Sequence, residues 1–248
     1  MSTPDDVPAF RLAYVPGVTP SKWARIWAER RRDVALQLIT LDVSSCAQAV
    51  HDGQVDMAIT RLPDALRHGE VGEHHTIDLY DETTVAVVPK DHVLTAADEL
   101  TLADLDDEQF LWPLDEPLTV AGRPGRAVDH RPETTGDAIE LVATGMALVL
   151  VPQSLARLHH RRDLTYRPVI DAPKGTVGLL WPSPTTDLAD EFIGIVRGRK
   201  STSSRGRSEP TAKRSAKEKA AAKRTAREAA GKVRGKGARR GAGRPKRR

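Results

Sequence analysis

The 248-residue sequence has only one cysteine, and aromatic residues make up 4% of it. A lone Cys46 excludes an intramolecular disulfide and any metal cluster built from several cysteines. No apolar run approaches the roughly 20 residues that a membrane-spanning helix requires. The first residues contain no basic segment followed by an apolar one, so they do not predict a secretory signal. These absences favour a cytoplasmic protein.

Catalytic and cofactor motifs are also missing. The sequence has no pair of histidines at the helical spacing used by zinc hydrolases, no Gly-x-Ser-x-Gly motif and no complete phosphate-binding loop. The adjacent pairs His74–His75 and His159–His160 point to different sides of a strand or helix, which favours solvated histidines over a role in metal or ligand contact. We therefore predict no catalytic residues, no metal site and no cofactor, and we expect that the protein is not an enzyme.

Charge is divided very unevenly along the chain. Residues 199–248 contain 20 Lys and Arg against three Glu, a formal net charge of +17, whereas residues 1–198 contain 18 basic and 31 acidic residues, a formal net charge of −13. After Gly198 the only branched apolar residue is Val233. Because such a composition cannot form a core, we predict that the basic tail, residues 199–248, is disordered.

The basic tail is predicted to bind DNA or RNA through phosphate contacts, since a dense positive charge favours sequence-tolerant, salt-dependent binding. The residues assigned to this contact are Lys213, Arg214, Lys217, Lys219, Lys223, Arg224, Arg239, Arg240, Arg244, Lys246 and Arg247. The composition of the tail resembles that of histone H1-like proteins, and Gly243–Arg247 resembles part of an AT-hook. The alternative is a solvated tail that increases solubility or binds RNA, acidic proteins or the acidic part of its own chain.

The first part of the chain alternates strand and helix patterns. Apolar segments at 10–15, 34–41 and 55–60 predict strands, and the intervening segments, which begin near Thr19 and Asp42, predict helices. Three strands that alternate with two helices indicate an α/β fold with a parallel sheet. Later segments continue the pattern, with helices predicted at 101–105, 135–144, 152–158 and 187–197 and strands at 77–80, 83–88, 110–112, 147–151, 164–169 and 177–181.

In open α/β sheets, ligands bind beyond the carboxyl ends of the strands, where helix N-termini present free N–H groups. The residues that this rule selects for ligand binding are Pro16, Gly17, Val18, Thr19, Ser44, Ser45, Thr60, Arg61, Pro113, Leu114, Thr134, Thr135 and Gly136. Amides, hydroxyls and a guanidinium favour a small anionic ligand. The alternatives are that Ser44, Thr134 and Thr135 serve only as helix caps and that Arg61 is a surface residue.

Five segments, Phe10–Gly17, His51–Pro63, Val85–His92, Leu100–Leu105 and Ala143–Pro152, have the order and spacing of the effector-binding domain of LysR-type transcriptional regulators, which residues 8–198 resemble. This resemblance implies a two-lobed type 2 periplasmic-binding-protein fold, in which small effectors bind in a cleft. Lobe one would comprise residues 8–88 and 165–198, and lobe two would comprise residues 89–164.

Regulators of that family carry a winged helix-turn-helix before the effector domain, whereas here the resembling region begins close to Met1. We therefore expect a non-catalytic, effector-binding accessory transcriptional regulator that contacts nucleic acid through its tail, with nucleoid association and a homodimer formed by the LysR-like domain as further expectations. The alternatives are a ligand-free partner of full-length LysR-type regulators and a cytoplasmic solute-binding protein.

Overall fold

The structure is a computed structural model in which residues 9–63, 69–71, 73–118, 120 and 122–199 are described. The chain divides into two units, residues 1–206 and 207–248, and every described residue belongs to the first unit. All residues that the sequence assigns to nucleic-acid binding lie outside the described residues, and the disorder predicted for the basic tail stays a prediction.

The described residues form two main sheets and five α-helices. The strands are β1 (Ala9–Tyr14), β2 (Ala35–Thr40), β3 (Met57–Leu62), β4 (Gly69–Val71), β5 (His74–Glu82), β6 (Thr84–Pro89), β7 (Gln109–Phe110), β8 (Arg126–Ala127), β9 (Val149–Pro152), β10 (Leu164–Pro168) and β11 (Gly175–Pro182). The helices are α1 (Ser21–Arg30), α2 (Val43–His51), α3 (Thr135–Val142), α4 (Gln153–Leu158) and α5 (Asp187–Val196), with short 3-10 helices at Val93–Ala96 and Ala103–Leu105.

The larger sheet has the strand order β2-β1-β3-β11-β5-β4. Strand β1 lies parallel to both β2 and β3, whereas β11 lies antiparallel to β3 and β5. The parallel part follows from the strand–helix–strand pattern at the start of the chain, because a crossover helix returns the chain to the same end of the sheet. The carboxyl ends of β1, β2 and β3 therefore meet at one edge.

Aromatic side chains form the centre of the core beside this larger sheet. The rings of Phe10 and Trp27 stack with their centroids 4.9 Å apart, and Phe192 of α5 lies 5.8 Å from Phe10 and 5.9 Å from Trp27. The indole N–H of Trp27 donates to the carbonyl of Val34 at 2.9 Å, so the buried polar atom of this large side chain is satisfied. This cluster fixes α1 and α5 against β1.

The smaller sheet has the order β10-β6-β9, and both neighbours lie antiparallel to β6. Side chains of β6 alternate between two cores: Val85 and Val87 pack in the cluster that includes α3 and α4, whereas Ala86 and Val88 pack with Phe110. A strand with apolar residues on both faces reads as a continuous apolar run, as the sequence of β6 does.

The observed elements agree closely with the predicted ones, with three informative differences. The third strand begins at Met57 rather than at residue 55, because the amide of Val55 donates to the carbonyl of Ala49 in the last turn of α2. The helix predicted at 101–105 is a short 3-10 helix, and the strand predicted at 110–112 ends at Phe110, where it pairs with the unpredicted β8. Within the described ranges, no helix is long and apolar enough to cross a membrane.

The predicted lobe limits at 88/89 and 164/165 remain predictions. The strands themselves change from the larger to the smaller sheet at Thr83, between β5 and β6. They change back between β10 and β11, across residues 169–174.

Candidate functional site

A cleft of about 810 Å³ lies between the carboxyl ends of β1, β2 and β3 on one side and the helices α3 and α4 on the other. The residues that line it are Tyr14, Pro16, Gly17, Val18, Thr19, Thr40, Asp42, Val43, Ser44, Arg61, Asp115, Pro117, Thr134, Thr135, Gly136, Ser154, Leu155, Arg157, Leu158 and His159. Its volume falls within the usual range for sites that bind small molecules.

Most residues that the sequence selects for ligand binding line this cleft. They are Pro16, Gly17, Val18, Thr19, Ser44, Arg61, Thr134, Thr135 and Gly136. The structure brings these residues together from four separate segments of the chain because helix N-termini and strand ends of both sheets face the same space. Whether they bind a ligand stays a prediction.

Four of the selected residues do not line the cleft. Thr60 is 3% exposed within β3, and Pro113 is buried, with its carbonyl accepting from Arg131 Nη2 at 3.2 Å. The side chain of Leu114 is exposed to solvent, and Ser45 lies one residue beyond Ser44 on α2, turned by about 100° around the helix axis. Position at the end of a strand therefore selected segments in or next to the lining of the cleft, but not every side chain within them.

Arg61 is buried at the cleft, with 4% of its surface exposed, so the alternative of a surface residue is wrong. Its Nε donates to Glu82 Oε2 at 2.7 Å, and Glu82 is 7% exposed. The guanidinium also donates to the carbonyl of Pro16 at 3.1 Å and to Ser154 Oγ at 3.0 Å. Arg61 thus connects β3 and β5 with the loop after β1 and the first turn of α4, and Glu82 neutralises its charge.

Gly17 permits this close arrangement. Its φ angle is +85°, and a Cβ atom at this position would lie 2.7 Å from Ser154 Oγ and 3.1 Å from Arg61 Nη2. An L-residue is disfavoured by the backbone angle and by the space alike. The glycine therefore lets the loop after β1 approach α4 across the cleft.

The start of α3 is satisfied by the protein itself. Thr134 is the N-cap residue: its Oγ1 accepts from the amide of Asp137 at 3.1 Å, and the Asp137 carboxylate accepts in turn from the amide of Thr134 at 3.3 Å. The amide of Thr135 donates to Asp115 Oδ2 at 3.0 Å, and its hydroxyl donates to Asp115 Oδ1 at 2.8 Å. The groups at this helix start that the sequence assigned to a ligand are therefore bonded to carboxylates of the protein itself.

The start of α2 is different. Asp42 occupies the N-cap position with an extended backbone, but its side chain makes no capping hydrogen bond. Ser44 is exposed at the cleft and is not the cap, so the alternative of Ser44 as the capping residue is wrong. The thiol of Cys46 is buried behind this turn, 3.4 Å from the carbonyl of Asp42, and burial raises its pKa.

Sequence reasoning missed several residues of the cleft, among them Asp115, Ser154, Arg157 and His159. Ser154 follows β9 at the start of α4, so the strand-end rule was able to find it. Arg157 is exposed and donates from Nε to the hydroxyl of Tyr166 at 3.2 Å. His159 packs against Gly136, where a Cβ atom would lie 2.9 Å from the imidazole.

A metal centre is not apparent in the part of the chain that the structure describes. No group of three or more His, Cys, Asp or Glu residues within these ranges has an arrangement that holds a metal ion. The chemistry of the cleft lies in its hydroxyls, guanidiniums and carboxylates, which are suited to hydrogen bonding of an organic molecule.

Comparisons with known proteins agree with this geometry. The model of the LysR substrate binding domain matches residues 10–201. The HTH-type transcriptional regulator CatR of Pseudomonas putida is 30% identical over 174 residues, which cover 65% of this chain and 57% of CatR. The Hca operon transcriptional activator HcaR of Escherichia coli (strain K12) is 28% identical over 105 residues, which cover 42% of this chain and 32% of HcaR. The chain thus spans about half the length of these curated relatives, or less.

Solved structures show the same fold. The BenM effector binding domain with its effector benzoate superposes with a TM-score of 0.62 at 18% identity, covering 77% of this chain and 91% of that one. The oxidized form of OxyR superposes with a TM-score of 0.63 at 18% identity, covering 77% and 95% of the two chains. The predicted α/β fold of the type 2 periplasmic-binding-protein kind is confirmed.

Proposed function

The chain belongs to the LysR substrate-binding-domain family, and on this basis we propose that its cleft binds a small organic acid as the effector of a transcriptional regulator. The observation that carries the proposal is the 810 Å³ cleft at the carboxyl ends of three parallel strands. The relatives are regulators by name, and the BenM domain of the same fold binds benzoate.

Several polar groups of the cleft suit a carboxylate. Arg157 forms no ion pair with a described residue, and its exposed guanidinium has donors left after the bond to Tyr166. The hydroxyls of Thr19 and Ser44 also line the cleft, beside the helix start of α2 that no side chain caps. A guanidinium and helix-start amides are the groups that commonly bind carboxylates in proteins.

A thermal-shift screen of the full chain against organic acids, neutral metabolites and amines tests the proposal. We expect at least one acid to raise the melting temperature, because a ligand that binds only the folded state stabilises it. Arg157→Ala should reduce this shift, whereas Arg162→Ala, an exposed arginine outside the cleft lining, should retain it. Stabilisation by neutral compounds or amines alone would contradict an acidic effector.

We further propose that the basic tail contacts DNA or RNA, so that the protein acts as an accessory regulator held near nucleic acid. The support is the formal charge of +17 in residues 199–248 beside −13 in residues 1–198. Neutralising many phosphates releases counterions, so such binding should be tolerant of sequence and should weaken steeply with salt.

An electrophoretic mobility-shift series that compares the full chain with residues 1–206 tests the role of the tail. The shorter protein keeps Arg199, whose Nη2 lies 2.9 Å from Asp190 Oδ1 and therefore belongs to the folded part. We expect only the full chain to bind, with an affinity that falls as salt increases. Equal binding by both proteins would remove the tail from the proposal.

Homodimer formation by the LysR-like domain and nucleoid association belong to the same proposal. Light scattering after size-exclusion chromatography measures the first. Co-sedimentation with DNA at low and high salt measures the second, because contacts between the basic tail and DNA phosphates are lost at high ionic strength.

A further inference from the structure

A carboxylate of the protein itself, that of Asp115, lies at the end of the cleft formed by the start of α3. Asp115 accepts from both the amide and the hydroxyl of Thr135, at 3.0 and 2.8 Å, and it lines the cleft at the start of α3. Each oxygen of this carboxylate accepts one hydrogen bond from Thr135. An anion binds to the start of a helix in the same way. A ligand that reaches this end therefore meets a negative charge instead of free N–H groups.

The other charges of the cleft leave room for one ligand carboxylate. Arg61 is neutralised by Glu82 at 2.7 Å, and both are buried. Of the two arginines in the described lining, Arg157 is the one that no described carboxylate pairs. Asp115 adds a negative charge at the start of α3, so a second ligand carboxylate placed there would meet a like charge with no unpaired cation left to compensate it.

We propose that Asp115 determines ligand specificity: the cleft accepts a monocarboxylate with a hydrogen-bond donor at its far end and rejects dicarboxylates. The ligand carboxylate binds Arg157 or the uncapped start of α2. A ligand hydroxyl donates to Asp115, whose two oxygens retain lone pairs after accepting from Thr135. This inference rests on the proposed function, in which the cleft binds an organic acid.

Three acids on the same ring supply matched probes: benzoate, 4-hydroxybenzoate and terephthalate. They carry one carboxylate alone, one carboxylate with a donor opposite, and two opposed carboxylates. Isothermal titration calorimetry with the full chain should rank 4-hydroxybenzoate first, benzoate second and terephthalate last. We expect terephthalate to bind about tenfold more weakly than benzoate or worse, because like charges in a partly desolvated site repel strongly.

Asp115→Ala should remove both differences. It removes the repulsion and frees the amide of Thr135, so terephthalate should gain about tenfold relative to benzoate, and 4-hydroxybenzoate should lose its advantage. Asp115→Asn removes the charge and keeps one acceptor oxygen for Thr135, while an NH2 group replaces the other oxygen, so a smaller gain for terephthalate is expected. This variant also preserves the test if Asp115→Ala fails to fold.

Asp42→Asn is the matched control, because it removes a carboxylate from the same cleft without touching α3. It should change the affinities of the three acids in parallel and leave their ratios unaltered. The inference is overturned if the wild-type protein binds terephthalate as well as benzoate, or if both Asp115 variants leave the ratio of the two unchanged. If Asp42→Asn changed the ratio of terephthalate to benzoate affinity as much as the Asp115 variants do, the effect would come from the net charge of the cleft, and the role of Asp115 would be overturned.

Failure of this inference is separable from failure of the proposed function. If the acids bind but Asp115 does not discriminate among them, only the inference is lost. If no acid binds to the wild-type protein or to either variant, the inference is also lost. The proposed function then fails as well when the thermal-shift screen shows no stabilisation by any organic acid.

Discussion

Two carboxylates accept hydrogen bonds from residues of the same cleft, and they are held in very different ways. Glu82 is 7% exposed and pairs with Arg61, which is itself 4% exposed. Asp115 is exposed and bonds to the backbone and hydroxyl of Thr135. Each carboxylate occupies donors that the sequence assigned to a ligand.

This difference indicates that the Arg61–Glu82 pair stabilises the fold, whereas Asp115 is accessible to a ligand. Arg61 donates to groups on β5, the loop after β1 and α4, so removing its partner leaves a buried charge uncompensated. Asp115 is exposed, so water or a ligand can contact its carboxylate even though Thr135, which donates to it, is 2% exposed. Four experiments test this contrast.

The largest effect should follow from Glu82→Leu. Because the change leaves the buried guanidinium of Arg61 without its carboxylate partner, we expect the free energy of unfolding to fall by about 3–5 kcal/mol, measured by urea denaturation. The double variant Arg61→Met with Glu82→Leu should recover most of this loss, since no buried charge then remains. A double variant as unstable as Glu82→Leu alone would show that the pair is not the cause.

Gly17→Ala should have the second largest effect. The alanine at φ +85° would be strained, and its Cβ would lie 2.7 Å from Ser154 Oγ, so we expect a loss of about 2–3 kcal/mol in unfolding free energy. Gly53→Ala is the control, because its φ is +65° with nothing within 4 Å, and it should cost about 1 kcal/mol. Equal losses for the two variants would remove the close approach of α4 from the explanation.

A smaller effect is expected on the exposed side of the cleft. Thr134→Ala removes a side-chain cap of α3 and should lower the free energy of unfolding by about 1 kcal/mol. Ser44→Ala provides the comparison at α2, where Ser44 makes no capping bond, and should change stability by less than about 0.5 kcal/mol. A larger loss for Ser44→Ala than for Thr134→Ala would reverse the assignment of caps.

The smallest effect on stability concerns Cys46, whose pKa is raised, chiefly by burial. The pKa of the Cys46 thiol is higher in the folded state than in the unfolded state. The contribution of the thiol to the free energy of unfolding is therefore present below the unfolded-state pKa and is lost as pH rises through the folded-state pKa. We expect alkylation by iodoacetamide at mildly alkaline pH to be at least about tenfold slower in buffer than in urea. Equal rates would mean that the turn before α2 opens readily.

Much of the fold was predictable because its signals are local. The alternation of Phe10 to Val15 and the helical spacing of Trp23, Ile26 and Trp27 identified β1 and α1 within a few residues. The site was predictable only as a set of segments. Asp115 escaped because its bond to Thr135 joins residues that are 20 positions apart, and no local pattern encodes such a pairing.

The sequence by itself determined the order of strands and helices, the meeting of strand ends at one edge, and the separation of opposite charges at residue 198. These features follow from periodicity, from the geometry of crossover connections and from composition. Only the tertiary structure decided which donors are already used. Burial of Arg61 and its pairing with Glu82, 21 positions along the chain, depend on how β3 and β5 are placed on either side of β11, and the free energy of a charged group depends on those neighbours.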